Sequence, residues 1–142
     1  QFRKLPEAAV YIQTRNPRHS VLRGLTEPDR FYRTDLNARQ GFQYPPYVYM
    51  ARYLFSHASQ AVAKKEANRV LALLQTALTE TKKDIIITGP VELQPKFYRG
   101  QYWFMLLAKM PQKSWPQDLM WLNHFIPANW KIDPNPISLL SP

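Results

Sequence analysis

The sequence contains no cysteine, which removes disulfides, thiol nucleophiles and thiolate metal ligands together. That absence is compatible with a reducing cytosol, and a cytoplasmic location is expected. The longest apolar stretches run about ten residues, short of the roughly 20 that a membrane-spanning helix needs. No positively charged leader followed by an apolar block opens the chain, so neither a secretory signal nor a membrane partner is expected. Only 4 glycines occur, and none belongs to a phosphate-cradling pattern, which excludes a P-loop. His19, His57 and His124 lie far apart with no partner at metal-ligand spacing, so no metal site is expected. No nucleophile-elbow pattern surrounds a serine. Among the acids only Glu27 with Asp29, and the isolated Asp133, stand in suggestive places, and acids near a helix start are ordinarily dipole partners. These absences point to a binding or docking module with no cofactor of its own and no catalytic residue.

What is abundant is positive charge. The net charge is +9, with eight Lys/Arg against four Asp/Glu up to Gln40 and eleven against six beyond it. An excess spread along the whole chain favours polyanions, nucleic acid first and acidic protein tails second, although solubility alone also explains a basic surface. Hydrophobic residues make up 45%, enough for a core, and 142 residues suit one domain with a short extra segment.

Ala8 to Thr14 (AAVYIQT) is apolar and β-branched enough for a short buried strand, ended by Asn16 and Pro17. Ser20 to Leu25 suits a brief helical turn and Glu27 to Gln40 a longer helix. That helix has Thr26 as N-cap, Glu27 and Asp29 in its first turn, Gly41 as stop, and Phe31, Leu36 and Tyr32 as its apolar side. Asp29 and Arg33 stand at i,i+4. Tyr44-Pro45-Pro46-Tyr47 reads as stiff and extended, because proline fixes its own φ and biases its predecessor away from the helix.

Tyr47 to Phe55 then reads as a strand. Ser59 to Glu80 is the clearest helix, with Ala63, Ala67, Val70, Leu74 and Ala77 at helical spacing. Asp84 to Thr88 is a short buried strand closed by Gly89-Pro90, Glu92 to Gly100 a loop, and Gln101 to Lys109 another strand. Ser114 is expected to cap a helix that tolerates Pro116 early and buries Leu119, Leu122 and Phe125 or Ile126. Trp130 to Asp133 is the last strand. From Tyr47 onward the order strand-helix-strand-strand-helix-strand predicts an α+β, ferredoxin-like split βαβ sandwich, an antiparallel sheet with two helices on one face.

Lys96, Phe97, Tyr98, Arg99, Tyr102, Trp103 and Phe104 form the best constellation. A basic loop leading into an aromatic strand sets phosphate-neutralising charge beside flat faces for stacking bases. Lys96, Tyr98, Arg99, Tyr102 and Trp103 are the nucleic-acid-binding candidates, and alternation directs Tyr102 and Phe104 to one face and Trp103 to the other. Arg15, Arg18, Arg23, Arg30, Arg33 and Arg39 are candidates for lining a DNA path or for pairing with acids. Lys113, Tyr44 and Tyr47 are candidates for docking a partner, Lys113 as an anchor for an acidic tail.

Four stretches, in order, resemble the C-terminal region of PriA-type (primosomal protein N′) replication-restart helicases. Val10 to His19 (VYIQTRNPRH) resembles the last strand of the second helicase lobe. Tyr44 to Tyr47 (YPPY) is similar to the family's YPPF, following a helix with a Phe-Tyr pair, here Phe31-Tyr32. Thr88 to Phe104 (TGPVELQPKFYRGQYWF) resembles its Gly-Pro loop and RGRYRW strand, and Trp130 to Leu140 (WKIDPNPISLL) its closing motif. Gln101 stands where the family usually has Arg, Trp103-Phe104 replace an Arg-Trp pair, and Asn135 replaces an Asp.

The resemblance implies residues 1–43 as the end of helicase lobe 2 with a helical connector, and 44–142 as a C-terminal ferredoxin-like domain. It implies a role in primosome assembly. The partners would be forked or single-stranded DNA, single-stranded-DNA-binding protein, other primosome proteins and the remainder of the helicase. Tyr44 to Tyr47 would be a hinge against the helicase lobe. The ATP, magnesium and zinc of an ATP-dependent 3′-to-5′ helicase belong to segments upstream of Gln1, so the chain alone is not expected to be an enzyme. Read without the resemblance, the residues also suit a free-standing ferredoxin-like RNA-binding or ribosome-associated protein, or a purely structural docking domain.

Overall fold

The computed structural model describes residues 11–25, 27–136 and 138–139, with the side chain of Arg23 left aside. The chain divides into two compact units, Gln1–Ala38 and Arg39–Pro142. In the first, α1 spans Ser20–Gly24 and α2 runs Pro28–Gly41 across the division. The expected strand at Ala8 to Thr14 is not formed over 11–14, and its first three residues lie outside the described set. Tyr11 to Thr14 are exposed, and Thr14 Oγ1 accepts from the Asn16 N–H, a local turn that competes with extended pairing. The proposed cap Thr26 also lies outside the described residues. The apolar side expected of α2 is not buried: Leu36 and Tyr32 are exposed, and only Phe31, edge-on to Tyr32, is half-buried. Arg30, rather than Arg33, meets an acid, Glu27, at 3.1 Å.

The second unit is an α+β fold. Its elements are β1 (Val48–His57), α3 (Gln60–Thr81), β2 (Ile86–Tyr98), β3 (Gln101–Pro111), α4 (Gln117–Asn123) and β4 (Lys131–Pro134). The strands form one antiparallel sheet in the order β2-β3-β1-β4. Ala63, Ala67, Val70 and Leu74 of α3 and Leu122 of α4 share a core with Ala51, Tyr53 and Phe55 of β1 and Phe104, Leu106, Ala108 and Met110 of β3. Both helices therefore cover one sheet face. The period-3.6 row of small side chains lets α3 lie close to the pleat. Tyr53 shows the cost of that burial, which pushes its phenol well above the usual range while its hydroxyl donates to Asn123 Oδ1 at 3.2 Å.

The other face is also covered at its centre. Leu54, Leu93 and Met105 form a second cluster with Trp103 against it. Arg52 is buried there, and its Nε and Nη2 both donate to Asp133 Oδ2, at 3.0 and 2.7 Å, across the register pair that joins β1 to β4. Asp133 thus stands as an ion-pair partner between strands.

Three local expectations are corrected. Tyr44 to Tyr47 is a turn, not an extended segment, closed by the Tyr47 N–H onto the Tyr44 carbonyl at 3.1 Å. Neither proline can donate to a ladder, and a turn leaves no backbone donor wanting. Glu92 to Gly100 is mostly strand, because β2 continues through Gly89-Pro90 to Tyr98. It does so by slipping register twice: Gly89 and Pro90 together face Leu106, and Leu93 to Lys96 together face Trp103. Bulges of this kind admit the Gly and Pro that a regular central strand rejects. Finally, Ser114 closes a 3-10 turn (Gln112–Ser114), its hydroxyl bonded to the Pro111 carbonyl, and Pro116 is the residue before α4.

Lys83 and Asp118 tie the end of α3 to α4, with 2.7 Å between Nζ and Oδ1 and only 4% of the Asp118 side chain exposed. Lys83 Nζ also lies 5.3 Å from the centre of the Trp121 ring. Lys83→Met keeps the stem over Trp121 and strands a buried carboxylate. Stability should fall by about 1–3 kcal/mol, and Lys83→Met with Asp118→Leu should recover part of it. A urea midpoint unmoved by the single change would show the pair to be inert.

Candidate nucleic-acid interface

β2 and β3 are joined by Arg99 and Gly100 alone, both at positive φ, +51° and +78°. Two successive left-handed residues turn a tight hairpin with the twist of its strands, and the Gly supplies one of them without penalty. Gly100 meets that requirement at no steric cost, whereas Arg99 holds a left-handed φ that an Asn or Gly would adopt more readily. The guanidinium carbon of Arg99 lies 5.2 Å from the centre of the Tyr98 ring. Trp103 Nε1 donates back to the Tyr98 carbonyl at 3.2 Å, fixing the hairpin stem. Gln101, where an arginine was expected from the resemblance, accepts from the Ser56 hydroxyl and so fastens the hairpin to β1.

The five nucleic-acid candidates are brought together at one end of the sheet but on different faces. Tyr98, paired with Gln101, shares a face with Trp103, which packs on Leu54, Leu93 and Met105. Tyr102 is paired with Phe97 and lies on the helix side, partly buried against the main core. Phe104 is buried in that core. Lys96 sits on the bulged excursion, exposed, with Glu92 Oε2 3.9 Å from its Nζ. Glu92 also accepts from Gln60, so the acid beside the basic tip is already engaged by the start of α3. That acid was missed from sequence because only the bulge sets it next to Lys96.

The partner candidates occupy the other end of the strands. β1 has 10 residues, so with about 3.4 Å per residue the two ends stand roughly 30 Å apart. Val48 pairs with Pro111, and Gln112 donates to the Pro46 carbonyl, which places the Tyr44 to Tyr47 turn beside the 3-10 turn that carries Lys113. Lys109 Nζ lies 4.2 Å from the Tyr44 ring centre and donates to the Phe42 carbonyl at 2.9 Å. Tyr44 is thereby held by its own unit, and it, Tyr47 and Lys113 are all exposed. Tyr49 stacks on Trp115 at 4.6 Å at the same corner, an aromatic pair that sequence spacing does not reveal, since Trp115 lies beyond the strand.

Of the arginine candidates, Arg15, Arg18 and Arg33 are exposed, Arg30 is paired with Glu27, and Arg39 donates to the Pro45 carbonyl at 3.2 Å. The histidines serve locally: His19 and His57 accept backbone N–H groups through Nδ1, and His124 Nδ1 bonds the Met120 carbonyl. Asn135 has φ +58° and donates its N–H to the Met50 carbonyl, a left-handed position that Asn tolerates well. Among the described residues no helix is long and apolar enough to cross a membrane.

Comparison with known proteins bears on the family of the chain. The replication restart protein PriA of Treponema pallidum (strain Nichols) is 31% identical over 111 residues, 77% of this chain and 16% of that protein. The chain thus spans about a sixth of the curated relative it matches. The family model described as the primosomal protein N C-terminal domain matches residues 40–137, which takes in every strand of the sheet, the hairpin and the Lys113 corner. The chain belongs to the primosomal protein N C-terminal domain family.

Proposed function

We propose that this chain is the DNA-binding and partner-docking portion of a replication-restart helicase, and that it meets forked or single-stranded DNA through the β2–β3 hairpin. One observation carries the reading: Lys96, Phe97, Tyr98 and Arg99 stand together at the tip of the hairpin, with Tyr102 and Trp103 packed behind them on opposite faces, an arrangement that would set phosphate-neutralising cations beside a flat apolar ring. The sheet order β2-β3-β1-β4 with both helices on one face supports the ferredoxin-like assignment. The opposite corner, with Lys113, Tyr47 and the Tyr49–Trp115 pair, is the docking candidate for single-stranded-DNA-binding protein or another primosome component. ATP hydrolysis, magnesium and zinc belong in this reading to the rest of a longer helicase.

Arg99→Asn tests the reading with little risk to the fold, because Asn accepts a left-handed φ more readily than Arg and Asn-Gly is the preferred pair for such a turn. Affinity for forked and single-stranded DNA should fall together. The plot of log affinity against log salt should flatten by roughly 0.7–0.9, one phosphate contact, with the melting temperature unchanged or raised. Unaltered affinity and slope would mark Arg99 as a solvated turn residue. Absence of wild-type binding at low salt would leave only the docking role.

A further inference from the structure

Within the hairpin, the ring best placed to stack on a base is one that charge and motif alone do not single out. Phe97 is 56% exposed. It pairs with Tyr102 across the strands, and Tyr102 pairs in turn with His57 on β1, so three flat side chains form a row over β2, β3 and β1 on one face. The Phe97 and Tyr102 ring centres are 5.0 Å apart at 55°. Tyr102 packs against the main core, which gives Phe97 a fixed backing. Tyr98 is differently disposed: it is half-buried, and Arg99 lies over its ring. A base stacking there would have to displace a guanidinium already in favourable contact with the ring face.

We infer that Phe97, backed by Tyr102, is the base-stacking residue of this hairpin, and that it takes an unpaired base of a DNA strand whatever its identity. This rests on the nucleic-acid reading given above. Phe97 has no polar atom with which to read a base edge, and every base offers a π-face, so the contact is sequence-tolerant. Lys96 precedes Phe97 in the chain and Arg99 follows two residues later, so cations stand within two residues of the ring on either side in the chain, available to phosphates of a strand that stacks there. An unpaired strand or end is required, because a base within a duplex presents no free face.

The test uses the full chain with oligo-dT, oligo-dC, oligo-rU and a blunt duplex, titrated by fluorescence anisotropy at two salt concentrations. Phe97→Leu keeps an apolar cover on Tyr102 and removes only the flat face, so the melting temperature should hold. Binding of oligo-dT and oligo-dC should weaken roughly 5- to 100-fold, with the salt slope unchanged and blunt-duplex binding little affected. Phe97→Trp should restore binding, and Tyr98→Leu should change it less than Phe97→Leu does. An oligonucleotide carrying 5-iododeoxyuridine should photocrosslink to Phe97. Phe97→Leu within twofold of wild type, with Arg99→Asn still weakening both strands, overturns the stacking assignment and leaves the hairpin reading standing; so does a crosslink at Tyr98. A clear preference for oligo-rU overturns the choice of DNA. Wild-type protein that binds none of the four removes the reading and this inference together.

Discussion

Leu74→Ala should lower the stability of the chain by about 2–5 kcal/mol, the range for a buried leucine truncated in a packed core. Leu74 is 0% exposed, in the C-terminal half of α3. Its neighbours along the buried row are Ala63, Ala67, Val70 and Ala77, three with small side chains and one with a stiff one. Such a row lets the helix approach the sheet closely and leaves Leu74 as the largest side chain of the row in the core shared with β1 and β3. Alanine residues cannot reorient to occupy a vacated volume, and Val has little χ1 freedom, so collapse around the cavity is limited. The upper half of the range is expected. Urea denaturation should show a lower midpoint with an unchanged slope, since the surface exposed on unfolding is nearly the same. A shift equivalent to under about half a kcal/mol would mean that this face of α3 is not the core face, and the α3-on-sheet arrangement would fall with it.

That helix illustrates what periodicity makes legible. Its buried row is the same five residues that the 3.6-residue spacing picks out, and β1 and β3 follow equally from their apolar runs. Short-range chemistry is less transparent. Gly89-Pro90 reads as the end of a strand because both residues break a regular ladder, yet here the ladder absorbs them as a bulge. Whether a breaker ends a strand or kinks it depends on the neighbouring strand, which lies well along the chain. The same holds for α2, whose Leu36 and Tyr32 have the right spacing for an apolar face and are nonetheless exposed.

The candidate interface was legible as a composition and not as a surface. Alternation correctly separates Tyr102 and Phe104 from Trp103, because the side-chain period of a strand is two. It cannot tell which exposed ring is free. The excursion over Leu93 to Lys96 buries Leu93 to 2% and resets the facing of everything after it, so Phe97 joins Tyr102 while Tyr98 joins Trp103. One residue more or fewer in that bulge would exchange Phe97 and Tyr98.

Gly89→Ala should therefore be the substitution that couples stability most directly to the hairpin. Gly89 has φ +123°, a conformation that residues with a Cβ rarely adopt, and a Cβ built there lies 2.7 Å from the backbone carbonyl oxygen of Met105 and 3.1 Å from Leu106 Cδ2. Leu106 Cδ2 can give way by a rotamer change. The Met105 carbonyl cannot move without distorting the β2–β3 ladder. Adding backbone strain of about 1–2 kcal/mol to a steric clash of about 1–3 kcal/mol gives an expected loss of about 2–5 kcal/mol. The structural consequence would run along β2. The bulge at Gly89-Pro90 lets Val91 pair with Met105 and Glu92 with Phe104, and these pairs set where the excursion and the hairpin begin. If alanine forces the bulge open, amide exchange in β2 from Val91 to Tyr98 should accelerate at temperatures where α3 remains protected. Oligo-dT binding should weaken along with it, without the flattened salt slope expected of Arg99→Asn. Gly89→Ala with a wild-type melting temperature and unchanged β2 protection would show that the strand accommodates a Cβ there, and the bulge would lose its role in placing the hairpin.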